Sequence, residues 1–283
     1  MSNPSFNLRG GRKRGAGAQG TPFLIPFVKM SACGNDFLLI ESSLAPTNIA
    51  AFTRRICDRH EGVGADGVEW MFPHTFADLE IRLINADGSP AEISGNGTRC
   101  AAAYVCSNRG KERISILTGA GVKVCTLVAR SDSEYEFESE MGEATVGAEL
   151  ALQHRSGEVC GIPVSMGNPH YVIFVPEFAP DWQSLAAEIQ QSATFPQGVN
   201  VEYVVVTGKR DVHGRFFERG AGETQSSGTG SCACAVAAIA AARAKSPVRV
   251  HAPGGTQTVR LHQGKVFLRG AARFVCRGEF FVS

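Results

Sequence analysis

The chain has 283 residues, of which 43% are hydrophobic and 19% charged. That composition can bury a core, and at roughly 150 residues per domain it predicts about two domains. Lys+Arg number 28 against 27 Asp+Glu, a net charge of +1, so nucleic acid is not expected as a partner, because phosphate binding calls for a basic excess. The longest apolar stretch, 232–242, is about half the roughly 20 residues of a membrane span, and no membrane partner is expected. Nine cysteines, no CxxC pair and a start unlike a secretory signal point to the reduced cytoplasm rather than a disulfide framework.

Residues 1–20 set Arg9, Arg12, Lys13 and Arg14 among Gly and Ala without periodicity; they predict a solvated, disordered extension, with order beginning near Phe23. Strands are predicted at 23–30, 36–42, 79–85, 113–118 and 122–130 by their β-branched and apolar content. A helix is expected over 48–57, and a short Ala-rich one over 100–107 (CAAAYVCS). The charged run 131–140 reads as a connection. Beyond it, 164–175, 199–208, 214–220, 248–251 and 266–268 read as strands, 185–191 as a helix, and 231–245 as the longest and most apolar helix.

The second half repeats the first. Ser94-Gly95-Asn96-Gly97-Thr98 matches Ser227-Gly228-Thr229-Gly230-Ser231 at an offset of 133 residues (227 − 94), and Gly34-Asn35 matches Gly167-Asn168 at the same offset. Asn85 then lies over Glu218, Gly67 over Asn200, and Gly121 over Gly254. Matches at one offset across more than eighty residues predict an α/β fold of two pseudo-symmetric halves arisen by internal duplication. The expected division is a 21–140 half, joined by the last strand (about 274–283), and a 141–273 half.

Each half carries S-G-[N/T]-G-[T/S] ahead of an Ala-rich helix. Glycines let backbone N–H groups face a ligand without an intervening Cβ, and the helix directs its positive end to the same point. Two such loops predict two anion sites suited to a carboxylate or phosphate, with one serine at each. Competing motifs are weaker. No GxxxxGK[ST] run exists, and Gly62-Val63-Gly64-Ala65-Asp66-Gly67 fits GxGxxG without the strand–turn–long-helix setting that motif needs. Cys232 and Cys234 read as core filler, and neither serine sits in GxSxG. His170 is either a base or a packing residue.

At these residues the chain resembles diaminopimelate epimerase, in the wider group of cofactor-independent amino-acid racemases and epimerases. The resemblance runs from about residue 26 to the end. It is carried by Lys29-Met30, Gly34-Asn35-Asp36-Phe37, Asp58-Arg59-His60, the 62–67 run, Asn85-Ala86-Asp87-Gly88-Ser89 and Gly95-Asn96-Gly97-Thr98-Arg99-Cys100. In the second half, Ser165 to His170, Glu218 to Thr224 and Gly228-Thr229-Gly230 continue it.

The resemblance implies two halves, each a curled β-sheet around a central helix, with the active site in the cleft between. It implies interconversion of LL- and meso-diaminopimelate by two-sided proton transfer at the α-carbon, in lysine and cell-wall precursor biosynthesis, without cofactor or metal. A small amino-acid substrate and a homodimer are the expected partners. Asn35, Asn85, Asn168, Asn200, Glu218 and Arg219 would bind the distal end of the substrate. Gly95-Asn96 and Gly228-Thr229 would hold the carboxylate, with His170 and Glu218 supporting the reacting pair. Gly67 departs from the polar residue frequent there.

The larger departure lies at the catalytic positions, where the family's two cysteines are replaced by Ser94 and Ser227. A hydroxyl near pKa 15 is about 7 units weaker as an acid than a thiol near 8.5, roughly 9 kcal/mol. A helix N-terminus supplies only about 0.3–2 kcal/mol. The residues leave three readings: a neighbouring base (His170, Glu218 or Glu92) works through the hydroxyl, the protein binds but turns over slowly, or it performs a different proton transfer. Cys33 is a nearby thiol that also reads as core.

Overall fold

The computed structural model describes residues 23–154 and 157–282. The extension expected over 1–20 lies outside the described residues. In chain order the strands are β1 (Phe23–Ala32), β2 (Asn35–Glu41), β3 (Gly67–Phe72), β4 (Leu79–Asn85), β5 (Pro90–Ala91), β6 (Arg113–Thr118), β7 (Gly121–Arg130), β8 (Glu134–Glu143) and β9 (Thr145–Val146). They continue as β10 (Leu150–His154), β11 (Gly157–Ser165), β12 (Pro169–Phe174), β13 (Asn200–Gly208), β14 (Asp211–Glu218), β15 (Gly222–Thr224), β16 (Val248–Ala252), β17 (Gly255–His262) and β18 (Lys265–Val282). The α-helices are α1 (Ile49–Cys57), α2 (Gly95–Arg109), α3 (Trp182–Gln190) and α4 (Gly228–Ala240). No helix of the described residues is long and apolar enough to cross a membrane.

The backbone packs as two compact units. Of the described residues, one takes those from Phe23 to Met30, Asp36–Val124 and those from Arg273 to Val282; the other takes those within Ser31–Asn35 and Cys125–Ala272. The sequence placed the change of half near residue 140, whereas the packing changes hands at Val124/Cys125.

Within the first unit β2 runs parallel to β3, β3 antiparallel to β4, β4 antiparallel to the short β5 and parallel to β6. The second unit repeats this as β12, β13, β14, β15 and β16. The register repeats too: Phe37 opposes Gly67 as His170 opposes Asn200, and Val68 opposes Ile84 as Val201 opposes Phe217. At the last strand the repeat slips by one residue. Leu79 pairs with Ile116 while its counterpart Val212 pairs with Val250. Gly121, at φ +84°, therefore corresponds to Gly255, also at positive φ, rather than to Gly254.

Each central strand divides its side chains between two layers, as period-2 geometry requires. In the first unit Leu38, Ile40, Val68 and Trp70 pack on Phe52 and Ile56 of α1, and the opposite face of β3 meets α2 at Gly97. In the second, Tyr171, Ile173, Val201 and Tyr203 pack on Trp182, Leu185 and Ile189 of α3. Val172, Val204 and Phe216 face Cys232 to Ala238 of α4. α4 is touched by β9, β11, β12, β13, β14, β16 and β17. Such enclosure explains a helix apolar all round, and Ala lets the strands approach closely. Cys232 and Cys234 are fully buried in it as packing residues.

Three sequence expectations change. The helices expected from 100 and 231 begin at Gly95 and Gly228, so the glycine loops are first helical turns. The 131–140 run is not a connection but mostly strand β8, with Tyr135 and Phe137 turned inward between outward-facing glutamates. β3 was not expected at all, because Glu69 interrupts its apolar run; it is buried along nearly its whole length. The GxGxxG run feeds this strand rather than a helix. Lys29 Nζ holds the Gly64 carbonyl at 2.6 Å, and Arg59 bridges Asp36 and Asp66 at 2.7 and 2.8 Å. That run is a structural turn closed by an ion-pair network.

Candidate active site

Both serines are helix N-caps. Ser94 has extended backbone, and its Oγ accepts from Gly97 N at 3.1 Å; Ser227 does the same with Gly230 N at 3.1 Å. The first intrahelical bonds run from Thr98 N to Ser94 O and from Ser231 N to Ser227 O. Gly95-Asn96 and Gly228-Thr229 precede those bonds, so their amides belong to the helix end that attracts anions. Gly97 and Gly230 are required by what stands against them: a Cβ at Gly97 would collide with Glu69 Oε1, and one at Gly230 would lie 3.0 Å from Glu202 Oε1. Removing either cap by Ser→Ala is expected to lower stability by about 0.5–2 kcal/mol. Thermal unfolding of Ser94→Ala and Ser227→Ala measures it, and it sets the baseline for reading any loss of activity.

The second half-site holds a continuous buried network. His170 Nδ1 meets Glu202 Oε1 at 2.6 Å, and His170 Nε2 meets Asn168 Oδ1 at 3.0 Å. Asn168 Nδ2 in turn donates to Thr229 Oγ1 at 3.3 Å. Asn168 Oδ1 can only accept, so Nε2 is the donor to it, and Nδ1 faces the Glu202 carboxyl. Burial pushes Glu202 up from the ordinary carboxylate value, against the pull of His170. Both nitrogens of His170 are thus engaged, and it is tied to the anion loop through Asn168.

Glu218 ends β14 beside Ser227. Burial is the largest influence and raises its pKa; the hydrogen bond from Ser227 works the other way, and the nearby Glu202 charge adds to the rise. The Ser227 hydroxyl accepts from Gly230 N–H and donates to Glu218, the arrangement of an activated hydroxyl. Asn200 is a scaffold piece: its Nδ2 donates to Pro169 O and its Oδ1 accepts from Arg219 N. The Arg219 guanidinium donates to Gln197 O at 2.8 Å.

The first half-site is built differently at the same positions. Asn85 stands where Glu218 does and donates to Ser89 Oγ at 3.1 Å. Phe37 stands where His170 does. Gly67 stands where Asn200 does, and a Cβ there would approach Ile84 O to 2.7 Å, so no side chain fits. Glu92 is exposed. Asn35 belongs to the packing unit of the second half; in the adjacent turn the Cys33 carbonyl accepts from Ser226 Oγ at 2.6 Å. Asn96 is buried beneath the first turn of α2, where Arg99 donates to its side chain.

Sequence reasoning missed Glu69 and Glu202. They occupy equivalent positions on β3 and β13 and are fully buried beside the two glycines. The signal was present as a charged residue inside an apolar run, repeated at the same offset of 133 (202 − 69).

Two repeats of parallel strand pair, antiparallel return and capped buried helix define the fold class of a set of racemases and related isomerases. A solved phenazine biosynthesis protein of the PhzF family from Bacillus anthracis superposes with TM-score 0.68 at 16% identity, covering 92% of this chain and 100% of that one. A probable proline racemase from Agrobacterium radiobacter gives 0.67 at 12% identity over 92% and 93%. Within this class the chain belongs to the diaminopimelate epimerase family, whose model matches residues 27–147 and 162–275. It is 36% identical to the diaminopimelate epimerase of Pelotomaculum thermopropionicum over 90% of this chain and 98% of the relative. It is 34% identical to that of Desulfitobacterium hafniense over 89% and 96%.

Proposed function

We propose that the protein is a cytoplasmic isomerase that interconverts LL- and meso-diaminopimelate by proton transfer at the α-carbon, serving lysine biosynthesis. The observation that carries this reading is the pair of matching half-sites, each a serine at the start of a buried helix with a carboxyl beneath the first turn. Inversion at carbon needs one group to remove the proton and a second to deliver one from the other side; a duplicated fold supplies two. The helix-start amides at Gly95-Asn96 and Gly228-Thr229 suit the substrate carboxylate, whose negative charge grows as the α-proton leaves. Asn35, Asn85, Asn168, Glu218 and Arg219 are proposed to read the rest of the substrate, Asn200 to hold the backbone of Pro169 and Arg219 in place for it, and Ser94 and Ser227 to handle the protons. Glu218 serves Ser227 as base, and the Glu202–His170–Asn168 network holds the carboxylate loop in place. A homodimer is part of this proposal.

Incubation with diaminopimelate in heavy water is expected to replace the α-proton by deuterium and to interconvert the stereoisomers. Binding by calorimetry with no exchange at high enzyme concentration would overturn the assignment. The bond between Ser227 and a half-buried Glu218 favours one second reading, a proton shift between carbons of an unsaturated acid with a carboxylate as sole base. It requires that Glu218→Gln abolish activity while both Ser→Ala variants retain it.

A further inference from the structure

We propose that Ser226 is a positioning residue: its hydroxyl clamps the Cys33-Gly34-Asn35 turn to the loop entering Ser227, and so fixes where Asn35 meets the far end of the substrate. The inference rests on the reading above, in which Asn35 reads the distal end of the amino acid while Ser227 handles a proton at its α-carbon.

Ser226 is buried, and its Oγ donates to the Cys33 carbonyl at 2.6 Å across 193 residues of chain. One residue earlier, the Gln225 carbonyl accepts from Gly254 N at 2.8 Å. Gly254 packs backbone to backbone on the same turn, so closely that a Cβ on Gly34 would stand 2.7 Å from Gly254 Cα. Three segments therefore meet at one point: the 33–35 turn, the 225–227 loop and the turn between β16 and β17. Among the described residues before Cys125, Ser31–Asn35 alone packs with the second unit, as such a lock requires.

The turn is also strained. Cys33 has φ +47° and Gly34 φ +86°; glycine adopts the left-handed region freely, cysteine does not. A non-glycine residue stays there only where its surroundings over-determine it, as they do at ligand clamps. The Ser226 bond to the Cys33 carbonyl acts on that residue directly. On the other side of Asn35, Asp36 is held by Lys29 at 3.0 Å and by Arg59 at 2.7 Å. Asn35 thus lies between two anchors, of which Ser226 supplies the one next to Ser227. The bond is not part of the repeated framework. At the offset of 133 the first half has Ile93 (226 − 133), which is exposed and carries no hydroxyl.

The test compares wild type, Ser226→Ala and Ser226→Thr, with thermal unfolding confirming that each is folded. Ser226→Ala is expected to raise KM for diaminopimelate about five- to tenfold, the scale of one lost hydrogen bond, with kcat within about threefold of wild type. Ser226→Thr keeps the hydroxyl and should restore most of the affinity. In an Asn35→Ala background, Ser226→Ala should change KM by less than about twofold, because the two residues act as one unit. If Ser226→Ala does not fold, Ser226→Cys, close in size and a weak donor, replaces it in each comparison. A KM within about twofold of wild type, or effects of Ser226→Ala and Asn35→Ala that multiply, overturns the proposal and leaves the epimerase reading standing. If wild type does not turn over diaminopimelate, that reading has failed, and amide hydrogen exchange still decides the clamp. The amides of residues 31–36 should then exchange about tenfold faster in Ser226→Ala than in wild type; unchanged exchange there refutes the clamp.

Discussion

The double variant Ser94→Cys, Ser227→Cys is expected to exchange the α-proton of diaminopimelate faster than the parent at pH 7.5, by about tenfold or more. The argument is one of acidity. A thiol near 8.5 and a hydroxyl near 15 differ by roughly 9 kcal/mol in the cost of forming the anion. Helix N-termini return about 0.3–2 kcal/mol of that. The backbone is already suited to the change, since each serine oxygen is an N-cap acceptor for Gly97 or Gly230 at 3.1 Å, a position sulfur can occupy with a modest lengthening. Single variants sharpen the result: Ser94→Ala and Ser227→Ala should each remove exchange from one stereoisomer if each hydroxyl serves one side of the carbon. A double cysteine variant that binds substrate but is no faster would show that the acidity of the group at these two positions does not limit the rate.

Stability is expected to fall as pH rises from about 5 to about 8, and Glu69→Leu is expected to remove much of that fall. Burial raises the Glu69 carboxyl from the ordinary 4.5 to about 8. Below 4.5 folded and unfolded chains are both protonated there, and the group adds no pH dependence. Between the two values the unfolded chain ionises while the folded chain keeps its proton, so unfolding becomes easier with each step up in pH. One such group contributes at most about 1.4 kcal/mol per pH unit. Above about 8 both states are ionised and the loss stops growing. Glu202 and Glu218, also raised by burial, act with the same sign. Leucine at 69 would stand between Leu39 and Leu83 with no charge to bury. Glu69→Leu should therefore be more stable than wild type at pH 7.5, by a margin that widens between pH 5 and 8. Chemical denaturation at several pH values measures it; parallel curves for the two proteins would contradict the burial of an ionisable Glu69.

The sequence alone determined the duplication, the family and the two serines, because all three rest on residues that repeat as short contiguous blocks. Ser94 and Ser227 with their glycines are local signals: a cap and its first turn lie within four residues, and chain neighbours set their geometry. What needed the tertiary structure was everything assembled across strands. Glu69 looked like an interruption of an apolar run. Only the pairing of β3 with β2 and β4, and the approach of Gly97, make it a buried carboxyl against the first turn of α2. The Glu202–His170–Asn168–Thr229 chain joins residues up to 61 apart through a parallel strand pair that no local pattern announces. Strand β8 was hidden for the same reason, since its glutamates face outward and only the sheet shows that Tyr135 and Phe137 face in. Proton affinity depends on which side chains surround a carboxyl and on the water they exclude, and that is fixed only when distant strands pack.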